Sequence, residues 1–297
     1  MILYETPPAI VQVVRGNEVR RLERELSVAQ EAALSAGEVL LTYWKMDVSV
    51  QLKEGVRGDI SPVTAADYAS NELLCRMLVE NFPDFGLLTE EEIADPQILE
   101  AISRWREAEY TWFIDPLDGT KSFVNGSDQF GIHIGLTRDG IPVLGVNYFP
   151  ALKVMYWAVA GCGAYKVGED GASRQIFADG SEVIRPIRSS SEALFADQVY
   201  RELTGSADHP RAGSAGLRFS LIAEGAANFY VSQGDRGSLW DLCSGHIVLK
   251  EAGGILTDRY GNEIDYRSSV VEAIHGCIAS GGEAAHKRAL ELLKSMP

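Results

Sequence analysis

The segment WFIDPLDGTKSF, residues 112–123, leaves an apolar run and sets Asp115 and Asp118 around Pro116, with Gly119 and the hydroxyl of Thr120 immediately after. Two carboxylates about 4 Å apart repel by roughly 4 kcal/mol at an effective dielectric near 20. A turn that only reversed the chain would gain nothing from that crowding. A divalent cation reverses the sign, because Mg²⁺ takes carboxylate, water and phosphate oxygens. Gly119 has no Cβ to hold an anion off the backbone. A helix starting here would turn the free N–H groups of Gly119 and Thr120 toward a phosphate. Taken alone, the string also reads as an Asx-type turn with solvated aspartates.

More acid stands at the ends of other elements. LLTEEE places Glu90, Glu91 and Glu92 directly after an apolar run, and SLWDLCSGH places Asp241 at the start of an expected helix. Separately, a glutamate triplet reads as a solvated face, Asp241 as a helix N-cap and Asp59 as a loop residue. Together they recur at the ends of three elements, where ligands converge in α/β folds. His133 and His246 lie in apolar surroundings and read as satisfied core histidines, and Cys243 as a helix-packing residue.

The elements that must position these groups follow from pattern. Leu22, Leu26, Ala29, Ala33, Leu40 and Trp44 recur at helical spacing. KEGVRGDISP, residues 53–62, reads as a charged loop. Thr64 caps a helix over AADYASNELLCRMLVENF that ends before Pro83. FGLLT and YTWFID read as buried strands, the second carried up to Asp115 by the extended bias of a residue before proline. FGIHIGLT and IPVLGVNYF form a hairpin across RDG, with VMYWAVA as a third neighbour. Later, SEVIRPIRSS reads as a strand and GLRFSLIAEGAANFYV as helix then strand. WDLCSGHIVLKEAGG reads as a helix with a glycine stop, ILTDRYG as strand and turn, and GEAAHKRALELLKSM as a closing helix. This predicts two α/β-type subdomains. Residues 1–185 carry most of the acidic ligands, and residues 186–297 carry Asp241 and the substrate-side groups.

Bulk properties exclude some classes. The formal net charge of −15 argues against a nucleic-acid groove, yet not against a phosphate substrate, because bound cations invert the local field. The cysteines Cys75, Cys162, Cys243 and Cys277 form no C-x-x-C pair, so neither a zinc ribbon nor a redox motif is expected. With no signal peptide and no membrane-spanning apolar run, a cytoplasmic location is expected.

At four places the chain closely resembles the inositol monophosphatase superfamily. FIDPLDGTKSF resembles its first signature and WDLCSGHIVLKEAGG its second. LLTEEE occupies the place of its strand-end glutamate, and DISPVTAADYASNELL resembles its upstream segment. The resemblance runs over roughly residues 20–295. It implies a layered αβαβα sandwich and a lithium-sensitive phosphomonoesterase using two or three Mg²⁺ ions. Carried over position by position, Glu90, Asp115 and the Leu117 carbonyl would bind one ion, and Asp115, Asp118 and Asp241 a second. Thr120 with Asp59 would orient and deprotonate the attacking water. Gly119 and Thr120 would hold the phosphate, with Lys121 and Asp241 on the substrate side. A one-residue slip would exchange Glu91 for Glu90.

Among the superfamily's substrates, SPVTAAD, DPLDGTKSF with its Lys121, and SGHIVLKEAGG most resemble the 3′(2′),5′-bisphosphate nucleotidases. Those enzymes commonly carry an S-R-S-H-like segment where this chain has IRSSSEALF, and a glutamate where it has Leu239. Arg211, Arg218 and Arg236 are candidates for a second phosphate. Inositol-1-phosphate, histidinol-phosphate or sugar-phosphate hydrolysis is the alternative, and a catalytically silent phosphate-binding protein is the non-enzyme one. The resemblance leaves a homodimer open.

Overall fold

A computed structural model describes residues 19–44, 46, 50–54, 60–190, 194–232, 237–272 and 276–296. Helix α1 (Val19–Trp44) leads to a hairpin of β1 (Val50–Glu54) and β2 (Ile60–Thr64), then α2 (Ala65–Asn81), β3 (Gly86–Thr89) and α3 (Pro96–Ser103). Next come β4 (Tyr110–Asp118), the short α4 (Thr120–Val124), β5 (Gly131–Arg138), β6 (Ile141–Phe149), β7 (Val154–Val159), β8 (Ala164–Val167) and β9 (Ser173–Ile176). The chain continues through β10 (Arg188–Ser189), α5 (Leu194–Thr204), β11 (Arg211–Ala212), α6 (Ala215–Ala223) and β12 (Phe229–Val231). It closes with α7 (Leu239–Glu251), β13 (Ile255–Asp258), β14 (Cys277–Ser280) and α8 (Glu283–Ser295).

Strands β3 to β9 form one seven-stranded sheet in chain order, parallel between β3 and β4 and antiparallel thereafter. One face carries Trp112, Ile114, Ile132, Ile134, Val146 and Trp157 and packs on the alanine-rich seam of α1 and on α2. The other face receives α6 and α7 through Phe113, Phe149, Leu217, Phe219 and Leu242. Beyond those helices lies the sheet β12–β14–β13, whose outer face meets α5 and α8 through Val199, Phe229, Ile278 and Ala289. These are the five alternating layers that the sequence resemblance implied.

Three local readings differ. The stretch read as a charged loop is flanked by paired strands, with Glu54 opposite Ile60. SEVIRPIRSS supplies only a two-residue strand, which pairs with β11, while Pro186 makes an isolated bridge to Phe229 of β12. β4 runs on to Asp118 rather than ending at Asp115, through a register shift in its pairing with β5.

The sheet face under α7 explains how Asp241 is placed. Gly135 lies opposite Gly145, and Gly145 opposite Ala158, so a row of absent or minimal side chains crosses β5, β6 and β7. A Cβ on Gly135 would come 2.5 Å from the Cys243 sulfur, and one on Gly145 would overlap the Ser244 carbonyl. Helix α7 therefore sits directly on the sheet backbone, which sets the height of Asp241 two residues before Cys243. Gly145→Val should lower stability by about 1–3 kcal/mol through overpacking. By lifting Asp241, it should also weaken divalent-cation binding in the variant that remains folded, as thermal melting with and without the cation will show.

Candidate active site

Four aspartates meet where β4 leaves the sheet, and each is held by one oxygen. Asp115 Oδ1 accepts the Leu117 N–H at 3.0 Å, which turns the chain across Pro116. Asp67 and Asp241 are each the third residue of a helix and reach back to its cap. Asp67 Oδ2 accepts both the N–H and the hydroxyl of Thr64 at 2.7 Å. Asp241 Oδ2 accepts the Ser238 N–H at 2.8 Å, so Ser238 rather than Asp241 is the cap. Asp118 Oδ2 takes three donors: His133 Nε2 at 2.7 Å, the Ser214 hydroxyl at 2.6 Å and the Gly216 N–H at 3.1 Å. In all four, one oxygen is fixed by a backbone N–H and the other is left to face its neighbours.

The strand-end glutamates are separated by the same logic. The β3–β4 ladder continues one residue past Thr89, with the Glu90 N–H donating to the Ile114 carbonyl at 3.3 Å. That puts the Glu90 charge against Asp115. The next side chain points elsewhere: Glu91 is buried, its carbonyl accepts the Asn71 amide at 3.1 Å, and its charge acts on Asp67.

The phosphate-side turn is equally built. Gly119 has φ +86°, and a Cβ there would come 2.8 Å from the Gln129 carbonyl, so glycine is required. Phe123 anchors α4 edge-on against Phe130 at 4.9 Å, with Trp44 of α1 behind at 5.3 Å. The Thr120 hydroxyl lies 3.1 Å from the Leu117 carbonyl and 3.4 Å from Asp67 Oδ1.

The carboxyl groups divide by environment. Burial raises Asp115 well above the usual carboxylate range, and the charges of Glu90, Asp118 and Asp241 push it further. Burial and the Asp118 charge raise Asp241 to about 7. Burial raises Asp67 to about 6, with Glu91 adding and the Thr64 bonds opposing. For Asp118 burial is outweighed by His133, Arg218 and Ser214, which hold it at about 2. Asp115 and Asp241 lie close enough that the Asp241 charge helps raise Asp115. Buried carboxyl oxygens whose mutual repulsion raises their proton affinity are a donor set fitted to a divalent cation. One ligand atom each from Asp115, Asp118 and His133 lies within 4.8 Å of the others, which is compact enough to hold an ion.

Of the residues expected from sequence, Glu90, Asp115, Asp118 and Asp241 converge with Thr120 and Gly119 beside them. Lys121 is exposed. Asp59 and Arg236 lie outside the described residues. Arg211 is exposed, and Arg218 is buried with Nη1 on the Ala212 carbonyl at 2.8 Å. His246 is a core histidine bonded to the Tyr266 hydroxyl at 3.1 Å. His133 is buried as expected, but its partner is Asp118. Asp67 lies within DISPVTAADYASNELL, and no role is expected of it from sequence. The T-x-x-D spacing of a capping box is the signal that marks it, because such a carboxylate keeps one oxygen free.

The sequence model of the inositol monophosphatase family matches residues 21–296. The chain belongs to the inositol monophosphatase family. Its members are metal-dependent phosphoric monoester hydrolases acting on small phosphate esters, and this chain is one of them. It is 34% identical to the 3′(2′),5′-bisphosphate nucleotidase CysQ of Salmonella typhimurium, over 80% of this chain and 91% of that protein. It is 30% identical to the fructose-1,6-bisphosphatase/inositol-1-monophosphatase of Aquifex aeolicus, over 80% of this chain and 87% of that one. An inositol monophosphatase structure from Anabaena superposes with a TM-score of 0.71 at 27% identity, over 93% of this chain and 98% of that one. Among the described residues no helix is long and apolar enough to cross a membrane.

Asp67 and Asp241 hold protons more tightly folded than unfolded, so the stability they contribute is present at low pH and lost as pH rises from about 4 to about 7. Metal-free protein should therefore melt several degrees higher near pH 5 than near pH 8. Saturating divalent cation should remove that decline, because it replaces the protons. Differential scanning calorimetry with chelator and with cation checks both.

Proposed function

We propose that this protein is a Mg²⁺-dependent 3′(2′),5′-bisphosphate nucleotidase, converting adenosine 3′,5′-bisphosphate to AMP with water as the nucleophile. The convergence of Glu90, Asp115, Asp118 and Asp241 beside the Gly119–Thr120 turn carries the phosphatase part. The substrate rests on the CysQ relatives named for that activity and on sequence features near Lys121.

Glu90, Asp115, the Leu117 carbonyl, Asp118 and Asp241 would hold two or three Mg²⁺ ions. When bound, they supply neutralisation of the ester's charge, acidification of water and stabilisation of the departing alkoxide. The backbone at Gly119 and Thr120 receives the phosphate oxygens, in a turn that the positive φ of Gly119 makes possible. The Thr120 hydroxyl, set between Asp67 and the Leu117 carbonyl, orients the attacking water and relays its proton to Asp67 Oδ1. A carboxyl group raised to about 6 is matched to that task near neutral pH. Asp59, expected in that role from sequence, lies outside the described residues. No side-chain nucleophile is required.

A second reading, inositol-1-phosphate hydrolysis, is favoured by the Aquifex relative and the Anabaena structure. Phosphate release with Mg²⁺ should give a higher kcat/KM for adenosine 3′,5′-bisphosphate than for inositol 1-phosphate. The reverse order would select the second reading, and no release from either ester would end the enzyme reading. Asp67→Asn should lower kcat by about 10²–10⁴-fold with little change in KM, because it removes the proton acceptor and keeps the shape.

A further inference from the structure

His133 sits on β5 directly opposite Asp115 in the ladder, with its side chain on the face that α6 and α7 cover. It is fully buried, and its ring packs edge-on against Phe149 at 5.8 Å. Nε2 meets Asp118 Oδ2 at 2.7 Å and lies 3.3 Å from the Ser214 hydroxyl. Nδ1 is buried and has no hydrogen-bond partner among the described residues. Among the described residues only Nε2 of the ring finds a hydrogen-bond partner, and its short contact is to Asp118.

The N-terminal end of α6 completes the arrangement. Ser214 caps the helix by accepting the Leu217 N–H at 3.1 Å and at the same time donates to Asp118. The Gly216 N–H donates to the same oxygen. A Cβ on Gly216 would lie 2.6 Å from His133 Nε2, so only glycine lets the helix close on the ring. The Gly213 N–H is held in turn by the Gln129 side chain at 3.0 Å, which ties this end of α6 to the loop after α4.

Three donors on one carboxylate oxygen leave it no capacity for a cation. The other oxygen, Oδ1, is then the only one Asp118 can offer. We propose that His133 is a positioning residue which, together with Ser214 and Gly216 of α6, fixes Asp118 as a one-oxygen ligand of the divalent cation. This rests on the metal reading above. It also rejects the alternative that His133 ligates the ion itself, since its one facing nitrogen is occupied by Asp118. Partners of this kind change metal affinity by about 10–100-fold when removed.

The test is Mn²⁺ binding by isothermal titration calorimetry on full-length protein, with chelator-treated protein as the start. His133→Leu keeps an apolar filler of similar volume and removes the donor. It should weaken Mn²⁺ binding by about tenfold or more. His133→Gln restores a donor at the Nε2 position and should recover binding to within about threefold of wild type. Ser214→Ala, which removes a different donor from the same oxygen, is the independent arm and should also weaken binding. Melting of each variant without cation separates affinity from folding, because a merely structural histidine would lower the melting temperature and leave the dissociation constant unchanged. Wild-type affinity in whichever of His133→Leu and Ser214→Ala folds would overturn the proposal. So would a directly bonded nitrogen in the electron spin-echo spectrum of the Mn²⁺ form. If wild-type protein itself binds no Mn²⁺ or Mg²⁺, it is the metal reading that fails.

Discussion

Negative charge gathered from four distant segments at one buried point is the constraint on which the structure depends. Each close carboxylate pair costs on the order of 4 kcal/mol. Three helices, α2, α6 and α7, turn their N-terminal ends toward the cluster through Asp67, Asp118 and Asp241. A helix terminus contributes about 0.3–1 kcal/mol to a nearby anion, rising to about 2 in partly buried geometry. Three such ends cannot cancel several repulsive pairs. The remainder falls to protons held by the raised carboxyls of Asp115 and Asp241, or to cations that replace them. Tethering each aspartate by a single oxygen keeps the ligand set in place through either state.

The sheet makes that convergence mechanically possible. Its face toward α1 and α2 is apolar throughout the core, whereas its face toward α6 and α7 carries a transverse row of Asp115, His133, Asn147 and Tyr156. Asn147 accepts the Ser244 hydroxyl at 2.5 Å and donates to Ser220 at 3.3 Å, so both helices are pinned by buried polar contacts. Apolar packing alone would let either helix slide. A hydrogen-bonded row with glycines beside it specifies one height and one register.

Much of this was legible before any coordinates. The D-P-L-D-G-T string, the glutamates after an apolar strand and the W-D helix start are local patterns, and each converged on the site. Periodicity marks α1 with its buried face, and Thr64 as a cap with Pro83 as a stop marks α2. What stayed hidden depends on distance in the chain. Whether Glu90 or Glu91 faces Asp115 is decided by one extra hydrogen bond in a ladder. His133 reads as core from its apolar neighbours, since nothing local reveals that Asp118, Ser214 and Gly216 close around it. Asp67 passes without a role in the sequence, since nothing local reveals that the Thr120 hydroxyl lies against its second oxygen.

The account is tested most directly by counting the protons that leave when the cation enters. Calorimetric Mg²⁺ titrations in buffers of differing ionisation enthalpy give that number. At about pH 6 the release should be about one proton or more per protein, and it should be smaller at about pH 8, where Asp67 and Asp241 have emptied. Binding with no proton release at either pH would contradict the claim that the acids are held together by protons that the cations displace.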